Sequence, residues 1–346
     1  MRVLVTGGTG YVGARIVADL VSAGHHVRLL VRRPEQVRVS LAPYDGVGDV
    51  VGAGDVVVGD VLDEQAVRRA LAGCDAVVHA AAVFALDAAR SDEVERTNAR
   101  AAELVLSLAT AAGLDPAVHV SSTVALTRFG GSGPELPLGD VPSPYSRSKI
   151  ASEVVARRLQ DRGAPVATVY PGGVYGPHDP YRGVNSEILR WVLRGLFPMW
   201  PAGSSHTVDV RTVAGTVLAL LEPGKGPRRY VVPGVAMDAD LLYSTLEQLT
   251  GRRLPHVVVP KSFAVPLARV ASAVQRRLPG RFHYPADVEG AELALRDTRF
   301  DDTPARSELG VVPVPFEDSL RDTTRWLVES GRLPARYAGE AVASQR

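Results

Sequence analysis

Three glycines, Gly7, Gly10 and Gly13, leave the start of this chain little choice of fold. They sit in Thr6-Gly7-Gly8-Thr9-Gly10-Tyr11-Val12-Gly13, directly after an apolar run at residues 2–5. A helical pattern over residues 10–23 follows and stops at Gly24, a residue suited to the left-handed turn that ends helices. The three glycines have separate mechanical roles. One makes a tight turn, one lets backbone approach a pyrophosphate, and one lets helix pack on strand. The helix N-terminus then offers free N–H groups and partial positive charge to phosphate. Alone, such spacing describes any glycine-rich turn; between a strand and a helix it predicts a dinucleotide-binding loop. Gly7, Thr9, Gly10, Tyr11, Val12 and Gly13 are therefore candidate cofactor contacts.

The residues that follow repeat the same unit. Segments 27–31, 56–58, 76–79, 117–120 and 166–169 read as strands. Helical stretches at 63–72, 98–112 and 144–160 lie among them, each ending near a glycine. Such alternation predicts parallel βαβ units, whose strands, buried on both faces, should be almost wholly apolar. Residues 34–55, with Pro34, Pro43 and several glycines, read as loop. After Tyr170 the regular alternation stops, although 207–221 still reads as strand then helix that rejoins the first lobe. The expected fold is α/β: a Rossmann-type doubly wound parallel sheet with a smaller C-terminal substrate-binding lobe. Residues 1–170 and 203–233 would form the NAD(P)-binding domain, 171–202 and 234–335 the substrate-binding lobe, and 336–346 a C-terminal tail.

At 346 residues the chain can bury a large core without disulfides or metals. Its formal net charge of +1 supplies no broad basic field, so nucleic acid is not an expected partner. No window offers the ~20 apolar residues of a membrane-spanning helix, and the N-terminal run is too short for a signal peptide. One cysteine, Cys74, excludes an internal disulfide and fits a reducing cytoplasm; it reads as a small buried thiol. The eight histidines show no metal-ligand spacing, so no metal is expected.

The end of the second strand is where a dinucleotide's adenosine ribose is read, and a carboxylate there would bind the hydroxyls of NAD. This strand ends instead in Val31-Arg32-Arg33-Pro34. Arg32 suits a 2′-phosphate, because its planar fork makes charge-assisted bonds to phosphate oxygens. NADP(H) is thus the expected cofactor, with NAD(H) the other option. Asp60-Val61 follows the third strand, where an acid can accept from the adenine amino group. His79-Ala80-Ala81-Ala82 follows the fourth, and its small residues let a cofactor lie close to the backbone.

Tyr145-Ser146-Arg147-Ser148-Lys149 sets a phenol and an ammonium four residues apart, on one face if the segment is helical. A lysine charge near a phenol lowers its pKa toward a range useful for proton transfer. Pro144 suits the first turn of that helix and Ser143 its N-cap. Ser121 and Ser122 end the preceding strand, where a hydroxyl can hold a carbonyl oxygen. With these motifs in this order, the chain resembles the extended short-chain dehydrogenases/reductases of the epimerase/dehydratase superfamily over nearly its whole length. The resemblance implies a catalytic set of Ser122, Tyr145 and Lys149. Tyr145 would give a proton in reduction and take one in oxidation. Lys149 would hold the nicotinamide ribose, and Ser122 would polarise the carbonyl. The resemblance also implies Asp60 and Val61 at the adenine and Asn98 as support for the active site. Pro171, Gly172 and Val174, in the segment 171–177, would lie beside the nicotinamide. Val208-Asp209-Val210-Arg211 would border the substrate. A homodimer paired through helices 98–112 and 144–160 is a further implication.

Departures from the family pattern narrow the reading. Sugar dehydratases usually carry an Asp-Glu pair after the catalytic hydroxyl residue; this chain has Thr123-Val124. Tyr170 stands where many members have arginine, and Thr212 where an aspartate is common. Residues 27–32 resemble the dihydroflavonol-reductase-like ketoreductase branch. The expected function is NADPH-dependent reduction of a ketone or aldehyde on a hydrophobic small molecule. Phe84, Thr123, Gly173 and Arg211 are candidate substrate contacts. The alternative is an NAD-dependent nucleotide-sugar epimerase or a 3β-hydroxysteroid-dehydrogenase-like enzyme, with Arg182, Arg190, Arg194 and Arg211 available to a second pyrophosphate. A nonenzymatic dinucleotide sensor is the remaining option, although such proteins usually lose the tyrosine or the lysine. Residues 261–281 read either as a lid helix over the substrate or as an amphipathic helix on a membrane surface.

Overall fold

The computed structural model describes residues 1–82, 91–128, 136–181, 183–275 and 288–339. Phe84 and Arg182 lie outside the described residues. β1 (Arg2–Thr6), α1 (Tyr11–Ser22) and β2 (His26–Val31) form the first βαβ unit. α2 (Glu35–Leu41) and α3 (Val47–Val50) then occupy the segment that reads as loop. Val37, Leu41, Val47 and Val51 are buried there in the same core as α1. Each of these helices is too short to display a period among so many prolines and glycines.

β3 (Val56–Val58), α4 (Glu64–Leu71), β4 (Ala76–His79), α5 (Ser91–Ala111), β5 (Ala117–Val120), α6 (Pro144–Gln160) and β6 (Val166–Tyr170) continue the alternation. α5 begins at Ser91, ahead of the expected Asn98, because residues 91–97 are polar in sequence apart from Val94. β7 (Gly173–Tyr175), α7 (Val184–Leu193), β8 (Met199–Pro201), β9 (Ser205–Asp209), α8 (Val210–Ala219) and β10 (Arg228–Val231) follow. The remainder comprises β11 (Val235–Met237), α9 (Ala239–Thr250), β12 (Val257–Val259), α10 (Lys261–Gln275), α11 (Val288–Arg296), α12 (Thr303–Glu308) and α13 (Phe316–Glu329).

Seven strands form one parallel sheet in the order β10-β6-β5-β4-β1-β2-β3. The order reverses between β1 and β4, so the loops leaving those two strands part and open a crevice. This is a Rossmann-type α/β fold. One face is covered by α1 and α8, which bury Ile16, Val17, Leu20, Val213 and Val217. The other is covered by α4, α5 and α6, which bury Val67, Val105, Leu106 and Ala156. β10 is hidden in the sequence because Arg228 and Arg229 interrupt its apolar run; an edge strand tolerates them, since Arg229 is exposed. The segment 207–221 divides between two structures. β9 pairs with β7 and β11 in a separate three-stranded sheet, and α8 packs on the main core. α12 also reaches the main core, through Ala305. A further core joins α7, α9 and α13 through Leu189, Leu193, Leu242, Tyr243, Leu246 and Trp326.

His79 and His119 lie side by side in the β4–β5 register, with their rings stacked 5.7 Å apart. Thr6 Oγ1 is 2.8 Å from Nδ1 of His79, whereas neither ring nitrogen of His119 has a hydrogen-bond partner among the described residues. Burial pushes His79 down to about 3 and His119 well below its ordinary 6.5. Both are neutral in the fold, while the unfolded chain takes up their protons from pH 6.5 downward. The stability they contribute is therefore complete above that value and lost as pH falls toward the folded-state pKa. Urea unfolding should show stability falling below pH 6.5 by about 1.4 kcal/mol per pH unit for each histidine. His119→Leu should reduce that slope, and an unchanged slope would mean that His119 is not held neutral.

Candidate active site

The loops after β1 and β4 meet across the crevice. The chain turns at Gly7, φ +75°, so close to the β4 loop that a Cβ would stand 2.6 Å from the Ala81 nitrogen. A Cβ on Gly13 would stand 2.0 Å from the Gly7 oxygen. Gly10 is the N-cap of α1, and no side chain caps that helix. The first-turn N–H groups are thus left for an anionic ligand, and a pyrophosphate fits a cradle with no side chain in its way. Ser40 donates to the Thr9 carbonyl at 2.8 Å and steadies the loop from α2. The Tyr11 hydroxyl donates to the Gly176 carbonyl at 2.7 Å, tying the loop to the segment after β6. Val12 packs on the main core.

Arg32 and Asp60 stand at the ends of β2 and β3, 4.0 Å apart, Arg32 exposed and Asp60 half-buried. Such a surface pair is worth little, so Arg32 remains available to a phosphate. Asp60 accepts from the Leu62 amide at 2.9 Å, and Val61 packs on the core with α4. In the β4 loop the Ala80 amide donates to the Thr6 carbonyl at 3.1 Å, Ala81 faces Gly7, and Ala82 is exposed.

α6 sets Tyr145 and Lys149 one turn apart, with Nζ of Lys149 5.9 Å from the centre of the Tyr145 ring. Tyr145 is hydrogen-bonded to Ser122, which follows β5. Ser122 Oγ accepts from the Val124 amide at 3.2 Å and donates to the Pro171 carbonyl at 3.4 Å. The Thr123 amide donates to that same carbonyl at 2.9 Å, and Thr123 is buried. Gly172 has no room for a side chain, since a Cβ would stand 2.1 Å from the His206 oxygen. Gly173 and Val174 begin β7, where Asn185 donates to the Val174 carbonyl at 3.1 Å. Asn98 donates to Ser148 Oγ at 3.0 Å and braces α5 against α6. The fold thus gathers Ser122, Tyr145, Lys149 and the 171–174 segment, while Arg32 and Asp60 stand at the opposite end of the crevice. A cavity of about 570 Å³ between β3 and the α2–α3 corner involves none of these residues.

The electrostatics differ from the simple expectation for a Tyr-Lys pair. Burial pushes the Tyr145 phenol up to about 12 and Glu289 adds to the rise, against the pull of the Ser122 hydrogen bond. Burial pushes Lys149 down to about 8, opposed by Glu153. Glu153 is fully buried one turn further along α6, pairs with Arg157 at 2.8 Å and accepts from the Tyr170 hydroxyl at 2.5 Å. Tyr170 thereby anchors the acid that supports the Lys149 charge. Thr212 also gains a role, since its hydroxyl accepts from the Val314 amide at 3.0 Å. Arg211 is gripped by both oxygens of Asp209, at 2.8 and 2.9 Å, and by Asp322 at 2.6 Å. Its charge is satisfied within the protein, as is that of Arg190, which pairs with Glu187 at 2.7 Å.

Sequence reasoning misses one residue at the head of α6. Ser143 holds the N-cap position of α6, yet its side chain caps no backbone amide. Glu289, 146 residues away on α11, supplies the cap instead. It accepts from the Ser143 and Ser146 hydroxyls at 2.5 and 3.1 Å and from the Ser146 amide at 3.2 Å. A carboxylate is favourable at a helix N-terminus. Only a tertiary contact makes Glu289 part of this site, so no local motif could have revealed it.

A family model described as the NAD dependent epimerase/dehydratase family matches residues 3–232. The chain belongs to that family. It is an NAD(P)-dependent oxidoreductase. Among its relatives, sterol demethylase protein B of Methylococcus capsulatus is 27% identical over 96% of this chain and 100% of its own. The 4-hydroxy-2-methyl-3-oxo-4-farnesyl-3,4-dihydroquinoline-1-oxide ketoreductase of Stigmatella aurantiaca is 27% identical over 90% of this chain and 91% of its own. A solved family structure, the dTDP-glucose 4,6-dehydratase DesIV of Streptomyces venezuelae with NAD bound, superposes with a TM-score of 0.72. It is 25% identical and covers 97% of this chain and 100% of its own. No helix among the described residues is long and apolar enough to cross a membrane.

The buried acid offers a direct test of the Lys149 environment. Glu153→Gln removes the charge that opposes the fall in the Lys149 pKa but keeps an acceptor for Tyr170. Lys149 should then lose its proton below its present value of about 8. The alkaline limb of kcat/KM should move to lower pH, and an unmoved limb would detach Glu153 from Lys149.

Proposed function

We propose that this chain is an NADPH-dependent reductase acting on the ketone or aldehyde of a hydrophobic small molecule. Residues 171–202 and 234–335 would supply the substrate-binding lobe. The observation that carries the reading is the hydrogen-bonded pair of Ser122 and Tyr145 with Lys149 one turn along α6. When bound, the cofactor supplies the hydride. A phenol pushed up to about 12 keeps its proton at neutral pH, as a general acid for reduction must. Ser122, held against Pro171, would orient the carbonyl oxygen toward that proton. Lys149 would hold the ribose end of the dinucleotide, which the uncapped α1 terminus and Gly7, Thr9, Gly10 and Gly13 receive at the pyrophosphate.

Two further observations support a reductase of apolar substrates over a nucleotide-sugar enzyme. Arg211 and Arg190 are neutralised by internal carboxylates, which leaves them poor partners for a second pyrophosphate. Thr123-Val124 supplies no acid or base for water elimination. The curated relatives point the same way, since their names carry a sterol and a farnesylated ketone. The exposed Arg32 supports NADPH over NADH.

The decisive experiment pairs binding with turnover. Arg32 bonds to a 2′-phosphate should favour NADPH over NADH by about 1.5–3 kcal/mol, or roughly 10- to 150-fold in Kd. Equal binding would return NAD-dependent epimerase and hydroxysteroid chemistry to first place. Tyr145→Phe should cut turnover of a ketone panel by about 10²- to 10⁴-fold without changing the NADPH Kd. Turnover that survives the substitution would remove Tyr145 from the reaction.

A further inference from the structure

α11 lies far along the chain from α6, yet one of its faces is given over to the head of that helix. Glu289 and Arg296 are seven residues apart, about two helical turns, and so project from the same side. Both reach the segment that leads into α6. Arg296 pairs with Asp140, and Glu289 accepts from the Ser143 and Ser146 hydroxyls and from the Ser146 amide. The far end of α11 is tied to the turn between β8 and β9. Asp297 accepts from the amide and the hydroxyl of Ser204, at 3.0 and 2.5 Å. Gly203 lies so close that a Cβ would stand 2.1 Å from the Ala294 oxygen. α11 is thus a strut between that turn and the start of α6.

What Glu289 holds brackets the proposed proton donor. Ser143 is the N-cap of α6, and Pro144, Tyr145 and Ser146 are its first three residues. Tyr145 stands between the two residues that Glu289 grips, so the first turn sets its direction. At its other end the phenol is hydrogen-bonded to Ser122. Stability of α6 does not require the remote carboxylate. Serine is a preferred N-cap, the Ser143 backbone is extended as a cap requires, at φ −68° and ψ 154°, and its hydroxyl could accept from the Ser146 amide unaided. Instead that hydroxyl is turned to Glu289, and the Ser146 amide donates to the same carboxylate oxygen. A local cap is replaced by a distant one, and the first turn is tied to α11 rather than to its own neighbour. Burial raises the phenol pKa, and Glu289 adds to the rise, which favours the protonated form that reduction uses.

We propose that Glu289 is a positioning residue for the proton donor: it fixes the first turn of α6 so that the Tyr145 phenol meets Ser122 only while α11 is docked. The inference rests on the reading of Tyr145 as that donor.

Two readouts test it, one of them free of substrate and cofactor. The chain has ten tyrosines, and in NMR of ring-labelled tyrosine the Tyr145 signal is identified by its loss in Tyr145→Phe. Glu289→Ala should broaden that signal and leave signals remote from α6 in place, because Ser143 then caps the helix. Glu289→Gln, which keeps the acceptor oxygen, should leave it narrow. Arg296→Gln undocks α11 two turns away from the cap and should broaden the same signal; a signal that stays narrow in both Glu289→Ala and Arg296→Gln overturns the proposal. In NADPH-dependent reduction of a ketone panel, Glu289→Ala should lower kcat about 10- to 100-fold with KM and the NADPH Kd unchanged. Glu289→Gln should recover most of that loss. An equal loss in both Glu289 variants would assign the effect to charge and not to position, against the proposal. A raised KM with kcat retained would make Glu289 a substrate contact and overturn it as well. If Tyr145→Phe is inactive while Glu289→Ala keeps the wild-type kcat, this inference alone falls. If Tyr145→Phe keeps turnover, the reading of the proton donor falls and takes the inference with it.

Discussion

The approach of Gly7 to the Ala81 backbone is the contact around which the molecule is arranged. It requires a residue without a side chain, in a left-handed conformation, at the point where the strand order reverses. Once that turn is made, α1 must start beside the crevice with its first amides uncapped. Gly13 then brings α1 so close to Gly7 that even a methyl group would collide. The loops after β5 and β6 end at the same edge of the sheet, and the shared bonds of Ser122 and Thr123 to the Pro171 carbonyl lock them together.

On this platform α6 carries Tyr145 and Lys149, the proposed proton donor and its cation, and their electrostatics are set by neighbours. Burial drives the Lys149 and Tyr145 pKa values in opposite directions, each toward its neutral form. Glu153 offsets this at Lys149 from within the helix, and Glu289 reinforces it at Tyr145 from α11. His79 and His119, held neutral nearby, spare Lys149 two further positive charges. The C-terminal part of the chain therefore reaches the head of α6 through the Glu289 carboxylate. A movement of α11 would change both the cap on α6 and the field at the phenol.

Much of the fold is legible in the sequence because it rests on local patterns. The three short apolar runs at 76–79, 117–120 and 166–169 need no context beyond their own composition to be recognised as buried strands. α6 begins at Pro144 and ends at Gln160 as its proline start and nearby glycine suggest. The failures have physical causes. α2 and α3 are one or two turns long, too brief for a period to emerge. β10 carries two arginines because it lies at an edge. β9 reads as part of the main sheet yet pairs elsewhere, since strand pairing is a long-range choice.

The site shows the same division. Glycine spacing, the Tyr-Lys interval and the arginine after β2 are short-range features, and by themselves they determined a dinucleotide cradle, a candidate proton donor with its cation, and a cation at the ribose end. Tertiary structure alone decided that Arg211 is neutralised by Asp209 and Asp322, that Tyr170 holds Glu153, that Glu289 caps α6, and that α10 turns its large apolar residues outward. Each of these depends on which distant groups share a small volume. A charged or apolar side chain has the same local signature whether its partner is water, a carboxylate far along the chain, or nothing within the protein.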